Sequence, residues 1–203
     1  MRLSFASSIR TITAKLNGTY DFSSLQIPLP EALAKSIMAW GKKNIPDENL
    51  HDNAKDTKGR EDEIHVTLLY GIKVTDNDGI RKFIPILMGI LGAVKPFKVR
   101  LGLVTLFRDK PDYDVVKIEA ESSGLQKLHY KIRNSLGGDG SESMVKNNYP
   151  TYQSHCTIGY IKKSTADDLN GNEDFLGKTF TVDKVIFSIP NGHKIPITLE
   201  KGE

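Results

Sequence analysis

The sequence predicts an α+β chain whose two halves each bring one strand to a shared cleft. The stretches Ile64-His65-Val66-Thr67-Leu68-Leu69-Tyr70 and Ser154-His155-Cys156-Thr157-Ile158-Gly159-Tyr160 share one frame, His-x-Thr closing on Tyr, with the histidines 90 positions apart at 65 and 155. Helix, polar loop and His-x-Thr strand occur in that order once in each half. A length of 203 residues suits one substantial domain or two small lobes around a common cleft.

Residues 1–17 are expected to be a short terminal helix or loose tail ahead of one domain over 18–203. Arg2, Arg10 and Lys15, with no acid before Asp21, superficially resemble an organellar presequence, but the stretch lacks the unbroken apolar core of a secretory signal. Gly18 to Ile27 predicts a first strand, ended by Pro28 and Pro30. Leu33, Ile37 and Trp40 predict an amphipathic helix over 31–43, started by Pro30. Residues 44–63 are polar and predict a short helical turn and then a loop that either covers the cleft or is a solvated surface excursion with His51 exposed in it.

After the first motif, a cap within 75–78 and the stripe Ile80, Phe83, Ile84, Leu87 and Leu91 predict a helix that Pro85 should kink or delay. Residues 97–107 and 114–120 alternate as two strands and predict a hairpin. Leu125, Leu128, Ile132 and Leu136 predict a helix over 123–136 with His129 in structural service, followed by a Gly, Ser and Asn loop to residue 150. Ser164 is expected to cap a short helix through Leu169. Strands over 178–189 and 195–200 should join around Asn191-Gly192.

In both motifs strand alternation puts His and Thr on one face, with Leu69 or Gly159, and leaves Tyr70 and Tyr160 on the apolar back. Two imidazoles beside two hydroxyls suit acid–base chemistry, since the ordinary histidine pKa near 6.5 lies close to neutrality. Metal binding is not expected, because the chain's single cysteine, Cys156, points away from His155. That one cysteine also excludes an internal disulfide and fits a reducing, cytoplasmic setting. With 38% apolar and 26% charged residues, the composition is that of a globular chain without a membrane span. A net charge of +3 favours a small anionic substrate over long nucleic acid gripped nonspecifically.

His65-Val66-Thr67-Leu68 and His155-Cys156-Thr157-Ile158 resemble the paired motifs of the two-histidine (2H, LigT-like) phosphoesterase superfamily. The resemblance implies two pseudo-symmetric lobes of antiparallel sheet plus helices around a central cleft, and a cofactor-free, metal-independent phosphodiesterase. Its catalytic residues would be His65, Thr67, His155 and Thr157, one histidine as base, the other as acid, and the threonines on the non-bridging oxygens. The flanking residues, including Tyr149-Pro150-Thr151-Tyr152, are similar to phage anti-CBASS enzymes that destroy cyclic oligonucleotides, although Ser154 stands where those enzymes usually have Pro. Tyr20, Tyr152 and Lys194 are the expected substrate-binding residues. The expected substrate is a cyclic or short oligonucleotide, or an RNA end with a cyclic phosphate, met by a monomer in the cytoplasm, the host's if phage-encoded. A 2′,3′-cyclic phosphodiesterase and a noncatalytic nucleotide or RNA binder are the alternatives.

Overall fold

Alternating apolar positions become strands that bury one side against helices. The computed structural model describes residues 21–53, 57–137, 143–146 and 151–200. Tyr20, Tyr149 and the expected N-terminal extension lie outside the described residues. In chain order the elements are β1 (Ser23–Pro28), α1 (Glu31–Asn44), β2 (Asp52–Asn53), β3 (Thr57–Lys58), β4 (His65–Ile72), α2 (Asn77–Leu91), β5 (Phe97–Phe107), β6 (Tyr113–Glu121), α3 (Ser123–Ser135), β7 (His155–Lys162), β8 (Thr179–Val182), β9 (Lys184–Ser188) and β10 (Lys194–Thr198).

Eight strands form one antiparallel sheet in the order β10-β9-β1-β4-β7-β6-β5-β8, while β2 and β3 pair separately. The run expected as one strand over 178–189 divides at Asp183 into β8 on one edge and β9 next to the opposite edge. One intervening residue spans at most about 7 Å between flanking Cα atoms, so the two sides of the sheet meet and the sheet is curled. The Asp183 carbonyl accepts from the Leu199 N–H at 2.8 Å, which fastens the crossing to the segment after β10.

The sheet falls into two four-stranded halves that meet at β4 and β7, where Val66 opposite Cys156 is the paired position. Beyond it the two motif strands splay. Their exposed backbone is capped crosswise by the segment that precedes the other motif strand. His51, Gly59 and Glu61 bond to β7, through His51 N–H to Tyr160 O at 2.9 Å, Tyr160 N–H to Gly59 O at 2.7 Å and Glu61 N–H to Ile158 O at 2.9 Å. Residues 144–146 bond to β4, through Lys146 N–H to Gly71 O at 2.7 Å and Lys73 N–H to Met144 O at 2.9 Å. The loop before His65, expected as a cover for the cleft or a solvated excursion, is thus an extra edge of β7, pinned by an Arg60–Asp47 ion pair of 2.6 Å. Of the helices, α1 packs on β7 of the other half, and α3 bridges the two, on β4 and β5.

The core is continuous through both halves, with Leu25, Ile27, Val66 and Leu68 from one, and Val116, Ile118, Cys156 and Ile158 from the other. Trp40 joins it at 9% exposure, as expected. The second helix runs unbroken from its Asp76 cap, whose side chain accepts from Gly79 N–H at 2.7 Å. Pro85 is exposed, so water can serve the carbonyl its missing N–H leaves unpaired. Ser164 caps no helix: it adopts φ 59° and its N–H donates to buried Asp114 at 2.9 Å, while the short 3₁₀ turn begins at Asp167.

Candidate active site

Because Val66 faces Cys156 in an antiparallel pair, the two motifs run past each other in opposite directions. This register sets His65 level with Thr157, and Thr67 level with His155. All four side chains are half-buried on the face away from the core, while their neighbours Val66 and Cys156 are fully buried.

Both imidazoles are held in the same way. His65 Nδ1 lies 2.9 Å from Glu63 O, and His155 Nδ1 lies 2.6 Å from Gln153 O. A carbonyl only accepts, so each Nδ1 carries the hydrogen and each Nε2 becomes the nitrogen whose protonation changes.

The surroundings differ. The His155 ring meets Phe107 edge-on, at 4.8 Å between centroids. Opposite Thr157 on β6 is Lys117, and opposite His155 is Glu119. The corresponding partners on β1 are Gln26, opposite Thr67, and Pro28, opposite His65. Burial pushes the His155 pKa down to about 4, helped by the positive charges of Lys117 and His65 and opposed by the Gln153 carbonyl. His155 is therefore neutral at pH 7.

Alternation fails one step beyond each threonine. On β4 the pairing with β1 shifts between Leu25 and Gln26, and on β7 the pairing with β6 shifts between Val116 and Lys117. Each bulge inserts one residue, Leu68 or Ile158, and reverses the faces beyond it. Leu69 and Gly159 are buried as a result. Tyr70 and Tyr160, expected on the core side, instead share the histidine face, Tyr70 at 36% exposure. Each meets an aromatic neighbour: Tyr70 packs edge-on to Phe22 at 6.1 Å, and Tyr160 packs against Tyr113 at 5.9 Å, on which His51 stacks at 5.0 Å.

Two side chains brace the first bulge. His129, 3% exposed, has Nδ1 2.7 Å from Leu68 O, and its ring stacks on Tyr152 at 4.1 Å and an interplanar angle of 2°. The Tyr152 hydroxyl donates to Thr67 O at 3.1 Å. Tyr152, expected on the substrate, has its hydroxyl and one ring face committed to holding Thr67 and His129. Tyr152→Phe removes that bond while keeping the stack, and is expected to lower stability by about 1 kcal/mol with a several-fold loss of turnover. Urea titration and initial rates check it, and unchanged values for both would deny Tyr152 the bracing role. Lys194, also expected at the substrate, forms an ion pair with Glu63, whose carbonyl orients His65.

Sequence reasoning missed Lys117, Phe107 and both bulges. The signals were present: a lysine amid Val115-Val116-Lys117-Ile118, and an apolar Leu69 in a slot that strict alternation assigns to the polar face. Beside His155 a pocket of about 380 Å³ opens toward α3, lined by Lys117, Glu119, Glu121, Gln126 and Gln153 among others.

Residues 30–193 match the 2′-5′ RNA ligase superfamily. No curated protein matches the sequence. Solved structures share the fold at low identity. TT0787 of Thermus thermophilus superposes with a TM-score of 0.63 and 17% identity, covering 88% of this chain and 95% of its own. LigT of E. coli gives 0.58 and 16%, covering 89% and 95%. Usb1 of Kluyveromyces marxianus gives 0.58 and 10%, covering 88% and 98%.

Proposed function

Because this chain belongs to the 2′-5′ RNA ligase superfamily, and so is a two-histidine phosphoesterase acting on RNA or nucleotides, we propose that it cleaves the phosphodiester bond of a short or cyclic oligonucleotide without a metal ion. The observation that carries this reading is the opposed register of the two motifs, with each imidazole held through Nδ1 by the carbonyl two residues before it. His155, kept neutral, takes the proton from the attacking oxygen, a water or a ribose 2′-hydroxyl, as the new P–O bond forms. His65 in its protonated form gives a proton to the departing oxygen as the old P–O bond breaks. Thr67 and Thr157 donate hydrogen bonds to the non-bridging oxygens as charge gathers there.

Two aromatic stations, Tyr70 with Phe22 and Tyr160 with Tyr113, lie at the same step of the two motif strands, one in each half. Such a pair suits bases on both sides of a scissile phosphate, which favours an oligonucleotide over a lone 2′,3′-cyclic nucleotide. LigT has been crystallised with 3′-AMP and Usb1 with uridine monophosphate, each a fragment of such a substrate. The cyclic signals that anti-CBASS enzymes destroy belong to this class, and would be met in a cytoplasm.

Incubation with cyclic di- and trinucleotides, 2′-5′ oligoadenylate, linear RNA and 2′,3′-cyclic nucleotides, followed by mass spectrometry, tests the proposal. Cleavage of an oligonucleotide is expected to survive EDTA. The acid limb of kcat/KM against pH should lie well below 6.5, because His155 must lose its proton to act and burial makes that easy. Activity lost to EDTA and restored by zinc or magnesium would end the proposal. An acid limb at or above 6.5 would take the role of base from His155. Opening of 2′,3′-cyclic ends alone would replace the substrate, and binding without product would make the chain a carrier of nucleotides.

A further inference from the structure

The two halves of the site repeat each other in histidine, threonine, bulge and tyrosine, yet differ at the residue across from the motif threonine. On β1 that residue is Gln26, and on β6 it is Lys117. Lys117 is 6% exposed, a costly place for an ammonium. Its Nζ donates to Thr105 Oγ1 at 2.6 Å, sits 4.4 Å over the Phe107 ring and stands 3.8 Å from Glu119 Oε1. Glu119 also accepts from Thr105 at 3.4 Å and is 44% exposed, so the pairing is loose and half-hydrated. A methionine would fill the same volume against Phe107 without the desolvation cost. Packing at this point would be met by an uncharged side chain, and the ammonium lies on the wall of the pocket beside His155.

We propose that Lys117 binds the phosphoryl group, as a fixed positive charge on the Thr157 side of the cleft, where the matching position across from Thr67 holds Gln26. The inference rests on the phosphoesterase reading above and adds to it a direction: the anionic oxygens settle toward β6, and the nucleotide runs on from there into the pocket below α3. Thr105 and Phe107 on β5 aim the ammonium, and Glu119 tempers its charge. The titratable groups facing His155 are His65 from β4 and Lys117 and Glu119 from β6. Removing Lys117 takes away a cation that disfavours protonated His155, so the acid limb of the rate profile should move to higher pH.

The test compares Lys117→Met and Lys117→Arg with the unaltered chain. Inorganic phosphate is titrated while the imidazole proton signals of His65 and His155 are followed by NMR, a readout that does not depend on turnover. Lys117→Met is expected to melt at or above the normal temperature and to bind phosphate at least tenfold more weakly. On an active substrate it should turn over at least thirtyfold more slowly, with its acid limb raised. Lys117→Arg should stay within about threefold in phosphate affinity, since guanidinium also pairs with phosphate and stacks on an aromatic face. Unchanged phosphate affinity in a folded Lys117→Met protein overturns the inference, even if the protein proves to be a phosphodiesterase. An unaltered chain that binds phosphate through Lys117 but cleaves nothing keeps the inference and removes the catalytic reading instead.

Discussion

His65→Ala and His155→Ala are each expected to lower turnover by two to four orders of magnitude, roughly the share of a barrier that one positioned proton-transfer group supplies. The two act in a single step, one taking a proton while the other gives one. The double variant should therefore be little worse than either single one, the mark of residues that work as a unit. Folding should survive, because the residues anchoring each motif strand are Val66 and Cys156 on the opposite face, both fully buried. The histidines are half-buried, and their Nδ1 bonds go to carbonyls only two residues away. Initial rates on the substrate found by mass spectrometry, with a thermal melt of each variant, check this. A folded single variant keeping more than about a tenth of the normal rate would remove that histidine from the proton transfers.

Gly71→Ala is expected to be the most damaging small substitution in the described structure outside the site. Gly71 has φ 89°, in the left-handed region, where an L side chain costs about 1–2 kcal/mol. A Cβ there would also lie 2.1 Å from the Lys146 carbonyl oxygen, a backbone atom held in place by the pairing of 144–146 with β4. Forced overpacking adds about 1–3 kcal/mol, for a total of about 2–5 kcal/mol. In a chain of this size that lowers Tm by roughly 5–15 °C. Gly171 supplies the control: its φ is 91° and a Cβ there meets nothing within 4 Å. Gly171→Ala should therefore carry the backbone strain alone, and equal melting losses for the two would disprove the clash with Lys146.

The strength of local patterns decided what could be read from the sequence. His65-Val66-Thr67 and His155-Cys156-Thr157 announced both strands, and the apolar-polar alternation from Phe97 announced the β5–β6 hairpin, although the pairing slips between Leu101 and Val104 and buries Val104 in place of Leu103. The motif tyrosines were misplaced because a bulge adds a residue without any turn chemistry to mark it. Only the pairing partner reveals the slip, and that partner is distant in sequence. The break at Asp183 was hidden for a related reason. Alternation slips there by one residue, buried Phe180 and Val182 standing at even positions and buried Val185 and Phe187 at odd ones, but with no Gly or Pro at the slip nothing marks it as a passage to the far side of the sheet. Lys117 was overlooked because a charged residue in an apolar strand reads as its solvent side until the facing strand is known.

Asp183 gives the molecule its mechanics. The two sub-sheets touch at Val66 and Cys156 in front and are stitched by a single amino acid behind, the arrangement of a purse with its clasp at the catalytic groups and its hinge at residue 183. A hinge of one residue leaves little slack at the back, while α1, lodged under the opposite sub-sheet, and α3, which bridges the two, tie the halves together across the seam.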